Sequence, residues 1–65
     1  MENWIMLVCE VRYPGIPQRF TYAARNESQA YTERKRLGFQ ALPVHVWEWN
    51  EFDAHKPELV REFDL

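Results

Sequence analysis

Few side chains in this sequence are equipped for bond-making chemistry. The lone cysteine, Cys9, sits among Leu7, Val8 and Val11. A thiol becomes a nucleophile where a nearby cation or helix start lowers its pKa, and these neighbours supply neither. Cys9 reads as a buried, inert thiol. His45 and His55 are the two histidines, ten residues apart. A zinc site takes three or four ligands at recognisable spacings, often with two histidines one helical turn apart. No metal site is expected, with His45 read as a sheet residue and His55 as a loop residue. The two glycines, Gly15 and Gly38, build no phosphate-cradling loop, and no Ser-His-Asp set is suggested. The expectation is a chain that is not an enzyme and holds no cofactor.

Two groups of residues are better suited to binding. The first is the acidic set Glu48, Glu51, Asp53, Glu58, Glu62 and Asp64. Acids in such numbers usually make a solvated face. These are interleaved with rings, as in Trp47-Glu48-Trp49, Glu51-Phe52-Asp53 and Glu62-Phe63-Asp64. Rings can anchor an array whose carboxylates imitate nucleic-acid phosphates, because a groove lined with Lys and Arg attracts either by charge. Trp47 and Trp49 are either core or, if exposed, a protein-binding hot spot. The second group is Arg34-Lys35-Arg36. With Arg19, Arg25 and exposed rings it could grip a single nucleic-acid strand, or it could simply complement the negative end of its own helix.

Charge divides these groups along the chain. Residues 1–47 hold four acids and six bases, a surplus of +2, whereas residues 48–65 hold six acids and two bases, a surplus of −4. Sixty-five residues make one domain, 1–65, and a chain this short buries about 60% of its unfolded surface. Three Trp, three Tyr and four Phe suit a small core that has no disulfide to help it. A single cysteine fits a reducing compartment. Met1-Glu2-Asn3 is no basic leader, and no apolar run approaches the ~18 residues of a membrane span. A soluble cytoplasmic protein is expected.

Five elements must position these residues. From Trp4 to Tyr13 the chain alternates as a strand. Ile5, Leu7, Cys9, Val11 and Tyr13 make the core face, and Trp4, Met6, Val8, Glu10 and Arg12 the other. Pro14-Gly15-Ile16-Pro17 turns the chain through a loop of about four residues into a second strand, Arg19 to Ala24, with Phe20, Tyr22 and Ala24 on one side. Asn26 can cap a helix, and Gln29 can bond back to the amide of the cap. The helix runs to about Leu37, where Gly38 is a suitable left-handed stop, and carries a thin stripe of Ala30, Tyr31 and Leu37 with the Arg34 stem between them. Val44 to Asn50 is the third strand, with Val44 and Val46 toward the helix and Trp47 and Trp49 opposite, beside Trp4 and Met6. Pro57 fits the first turn of a short C-terminal helix with Leu59, Val60 and Phe63 near one side. An extended strand through Leu59, Arg61, Phe63 and Leu65 is the rival. The expected fold is α+β: a small antiparallel sheet in the order β-β-α-β, one main helix packed on it, and a short helical tail.

Length, the single cysteine, the run from Trp47 to Asp53 and the acidic ending together resemble the small phage-encoded anti-CRISPR proteins, in particular an inhibitor of the type I-C surveillance complex. The resemblance implies a non-enzymatic inhibitor that binds the large subunit of that complex, where target DNA and its PAM are read, and blocks DNA binding in the cytoplasm of the host cell. It transfers no catalytic residue. The binding residues, Glu48, Glu51, Asp53, Glu58, Glu62 and Asp64 with Trp47 and Trp49, come from the charge argument. Arg34-Lys35-Arg36 departs from a uniformly acidic DNA mimic and leaves open whether the whole surface or one face acts. A monomer that binds a basic DNA-handling protein, with no direct nucleic-acid or membrane contact, is expected. The alternatives are a small nucleic-acid-binding module using Arg34, Lys35 and Arg36, and a structural subunit that self-associates through Trp47 and Trp49.

Overall fold

Alternation along the first strand sets the layout. In the computed structural model, which describes residues 4–51 and 56–65, β1 spans Trp4–Arg12, β2 Arg19–Ala24, α1 Glu27–Arg36, β3 Val44–Glu51 and β4 Glu58–Asp64. The sheet order is β2-β1-β3-β4, with every neighbouring pair antiparallel. β2 and β3 flank β1 and run parallel to each other, so the chain must cross over between them. α1 makes that crossing, as a helix usually does between parallel strands. The β1–β2 register closes at Arg12 opposite Arg19, so the connection spans residues 13–18, longer than the proline spacing suggests. Gly15 takes φ 80 there.

Leu7, Cys9 and Val11 of β1, Ala24 of β2, Val44 and Val46 of β3, and Ala30 of α1 are buried together. Tyr13, Tyr22, Phe39, Leu42, Phe63 and Leu65 pack around them. Ala30 has no side chain to hold the helix off the sheet, and its carbonyl accepts from the Tyr22 hydroxyl at 2.9 Å. Tyr31, expected on the buried stripe, is half exposed instead, because one residue turns it about 100° from Ala30. Phe39 lies 5.1 Å from the Phe20 ring and 6.2 Å from that of Tyr13, and so closes the hairpin end of the core.

The helix stops are those of the sequence. Asn26 Oδ1 accepts from the Gln29 amide at 2.8 Å. Gln29 Oε1 reaches back to the Arg25 amide at 2.6 Å rather than to that of Asn26, so the return bond falls one residue early. Gly38 at φ 84 lets its own amide meet the Lys35 carbonyl and the Phe39 amide meet that of Arg34, a Schellman ending. Arg34 then clamps the return loop: its guanidinium donates to the carbonyls of Phe39, Gln40 and Leu42 at 3.2, 3.1 and 2.6 Å. Replacing Arg34 by Ala strips a charged donor from three carbonyls, two of them in part-buried contacts. The expected loss is about 2 kcal/mol, read as a lower urea midpoint at constant slope. Arg34→Lys should recover only part of it, because an ammonium lacks the planar fork.

The C-terminal segment corrects the expected order. Glu58–Asp64 is a fourth strand paired with β3, not a helical tail, so the order is β-β-α-β-β. The physical reason is the edge that β3 would otherwise present. Pairing satisfies its backbone groups, and the extended chain brings Phe63 opposite Val46 and closes with the Leu65 amide on the Val44 carbonyl at 2.9 Å. A helix there would leave the outer backbone edge of β3 unpaired. Pro57 precedes the strand, where its missing N–H costs no ladder bond.

Candidate binding face

Antiparallel partners share a face, so the register shows which side chains meet. Met6 lies opposite Trp49 and Val8 opposite Trp47. Trp47 in turn lies opposite Glu62, and Trp49 opposite Leu59. These residues form one side of the sheet, and α1 packs on the other. Among the described residues no element covers this open side. Met6 and Leu59 are exposed there, and Val8, Trp47 and Trp49 are half-buried. The result is an apolar strip across three strands with two indoles at its middle.

Charges line its rim. His45 lies in the same row as Trp47, its ring edge-on to that indole with centroids 4.6 Å apart. Its Nδ1 meets Asp64 Oδ1 at 2.6 Å and its Nε2 meets Glu62 Oε1 at 2.7 Å. The hydrogen bond to Asp64, then that to Glu62, holds the His45 pKa above its ordinary value, against some burial and the Arg12 charge. On the β2 side Glu10 pairs with Arg12 at 3.1 Å and with Arg19 at 3.6 Å.

The acidic array expected on one face is divided by the sheet. Glu62 and Asp64 share the open side with Trp47 and Trp49. Glu48 lies opposite Arg61 on the helix side, where it accepts from Arg61 Nε at 2.9 Å. The same guanidinium reaches Glu27 at 3.4 Å and lies 4.2 Å over the Phe63 ring. Glu48 is thus a structural partner rather than a free carboxylate. Glu58 lies opposite Asn50, and Glu51 ends β3. Asp53 lies outside the described residues, as do Phe52 and His55. Sequence neighbours such as Trp47 and Glu48 take opposite faces in a strand, so interleaving acids with rings separates them. His45 was missed as the group that holds Glu62 and Asp64. Its signal was parity with Trp47 and Trp49.

The basic cluster is divided as well. Arg34 is spent on the return loop, and Arg36 chelates Glu33 through three bonds of 2.7–3.1 Å, which lowers the Glu33 pKa. Cys9 is fully buried, and desolvation pushes its thiol pKa up. Among the described residues no three His, Cys, Asp or Glu side chains are placed to hold a metal ion. No helix among them is long and apolar enough to cross a membrane. No protein-family model, curated protein or solved structure matches this chain.

Proposed function

We propose that this chain is a non-enzymatic binding protein that docks through the open side of its sheet on a basic, nucleic-acid-handling protein. The observation that carries the reading is the pairing of two half-buried indoles with an acidic rim on a sheet face that no described element covers. Trp supplies contact area at low entropic cost, and Glu62 and Asp64, two carboxylates on the one His45 ring, leave the β4 rim a net negative sign that a Lys- and Arg-lined partner prefers. The specific form is an inhibitor of the type I-C CRISPR surveillance complex, bound to its large subunit where DNA is read. Division of the acids reduces the mimic from a broad array to the β4 rim beside the tryptophans. The nucleic-acid module is less favoured, because Arg34 and Arg36 have internal partners.

The test is capture of purified surveillance complex by the tagged chain, with target-DNA binding followed in parallel. Stoichiometric capture at low salt, loss of DNA binding, and loss of capture in Glu62→Lys with Asp64→Lys are expected. Capture that ignores this double reversal would overturn the acidic-rim assignment. Absence of capture would remove the CRISPR form of the proposal. Self-association is favoured by one arrangement. Arg12 and Arg19 lie toward the β2 edge and Glu62 and Asp64 toward β4, so a copy laid on this face by a two-fold axis parallel to the strands brings opposite charges together. A dimer at micromolar concentration would select that reading.

A further inference from the structure

We propose that His45 is a proton-operated clasp: as an imidazolium it ties the edge strand β4 to β3 through Glu62 and Asp64, and on losing its proton it releases one of them and loosens the end of the strand. The argument is a count of donors. Ionised carboxylates only accept, and a neutral imidazole has a single N–H. Both His45 nitrogens sit within hydrogen-bond distance of a carboxylate, Nδ1 at 2.6 Å from Asp64 and Nε2 at 2.7 Å from Glu62. Both contacts are satisfied together only by the doubly protonated ring. Deprotonation turns one nitrogen into a lone pair facing a carboxylate, and that contact becomes repulsive.

Every strand of the sheet contributes to the balance. From β4 come Glu62 and Asp64, both favouring the cation. From β1 come Glu10, the register partner of His45, and Arg12, whose charge opposes the cation. β2 adds Arg19, which with Arg12 draws off the Glu10 carboxylate. On β3 the neighbour is Trp47, which shields the ring to 17% exposure without adding charge. α1 lies across the sheet. The net direction is upward from the ordinary histidine value near 6.5. The folded state therefore binds the proton more tightly than the unfolded chain. The contribution of the clasp is complete below about pH 6.5 and fades as pH rises through the folded value. β4 is where this matters. Its side chains are mostly exposed, and Phe63, with Leu65 just past the end of the strand, packs against the core. An edge strand so thinly packed is the first part of a sheet to open locally.

The clasp needs no partner, so its test is independent of the proposed docking. NMR of the full chain from about pH 5 to pH 9 would follow the His45 ring, assigned with His45→Gln, and the β4 amides. The expected result is a His45 midpoint above about 6.5. The amides of Phe63 and Leu65, the ones of this stretch that face β3, should share that midpoint and lose exchange protection across it after correction for the intrinsic rate, while those of β1 and β2 do not. In Glu62→Gln with Asp64→Asn, the His45 midpoint should fall toward the ordinary value and β4 protection should become flat with pH. A wild-type midpoint at or below the ordinary value overturns the proposal. So do β4 amides that ignore the titration, or a double variant that keeps the wild-type midpoint.

Discussion

Leu7→Ala will cost this protein about 3 kcal/mol and lower its melting temperature by roughly 10–25 °C. Leu7 is 1% exposed and lies opposite Ala24 on β2 and Glu48 on β3. Ala24 is too small to fill the space, so truncation leaves a cavity as well as losing transfer energy. A domain of this length has on the order of 3–10 kcal/mol to lose. The variant is therefore expected to lose about a third or more of its stability, as read by a thermal melt followed by far-UV circular dichroism. Val60→Ala is the control: Val60 is 52% exposed, and its loss should move the midpoint little. Equal shifts in the two variants would mean that the core is not centred on β1.

On the proposed docking, Trp49→Ala should weaken partner capture sharply while leaving a folded chain. Trp49 sits at the centre of the open side, between Met6 and Leu59. A central tryptophan in a docked interface is worth about 2 kcal/mol or more, a weakening of at least ~30-fold. Some stability is lost too, because the indole is half-buried, so melting and capture must be measured on the same sample. Tyr31→Ala removes a comparable ring from the helix, on the covered side of the sheet. It should leave capture of the surveillance complex unchanged. If Tyr31→Ala disrupts capture and Trp49→Ala does not, docking belongs to the helix side and the open face is not the interface.

Much of the fold was legible in the sequence, and the losses have identifiable causes. Asn26 and Gly38 bracket the helix with local signals that act within a few residues, and the structure places its ends there. β1, β2 and β3 were legible because alternation is also local. β4 was legible only as the rival to a short helix, for a reason visible at Val60. The pairing shifts between Glu48 and Trp49, so that Arg61 lies opposite Glu48 and Leu59 opposite Trp49, with Val60 the extra residue. That insertion sets two apolar residues side by side and breaks the period of two. Leu59, Val60 and Phe63 then mimic helical spacing. The strand is specified by β3, its partner across the sheet, which a window on residues 57–65 does not contain. For the binding residues the difficulty was geometric. Acids and rings alternate from Trp47 to Trp49, which looks like one mixed surface in the sequence and becomes two surfaces in a strand. Arg34, Lys35 and Arg36 are likewise consecutive letters that a helix turns in different directions.

The extra residue at Val60 has a consequence for how the protein behaves when crowded. An exposed edge strand is a template onto which another chain can add, and repeated addition leads to fibrils. β4 is such an edge, but its backbone is interrupted by the insertion, and Glu58, Glu62 and Asp64 recur along it. An incoming strand would have to accommodate the kink and face like charges. Strand addition at the β4 edge is thereby discouraged, whereas β2, the opposite edge of the sheet, has no such interruption. In a concentrated solution the β4 edge should therefore be the slower of the two to accept another strand, and neutralising Glu58, Glu62 and Asp64 together should speed any rise of light scattering with time.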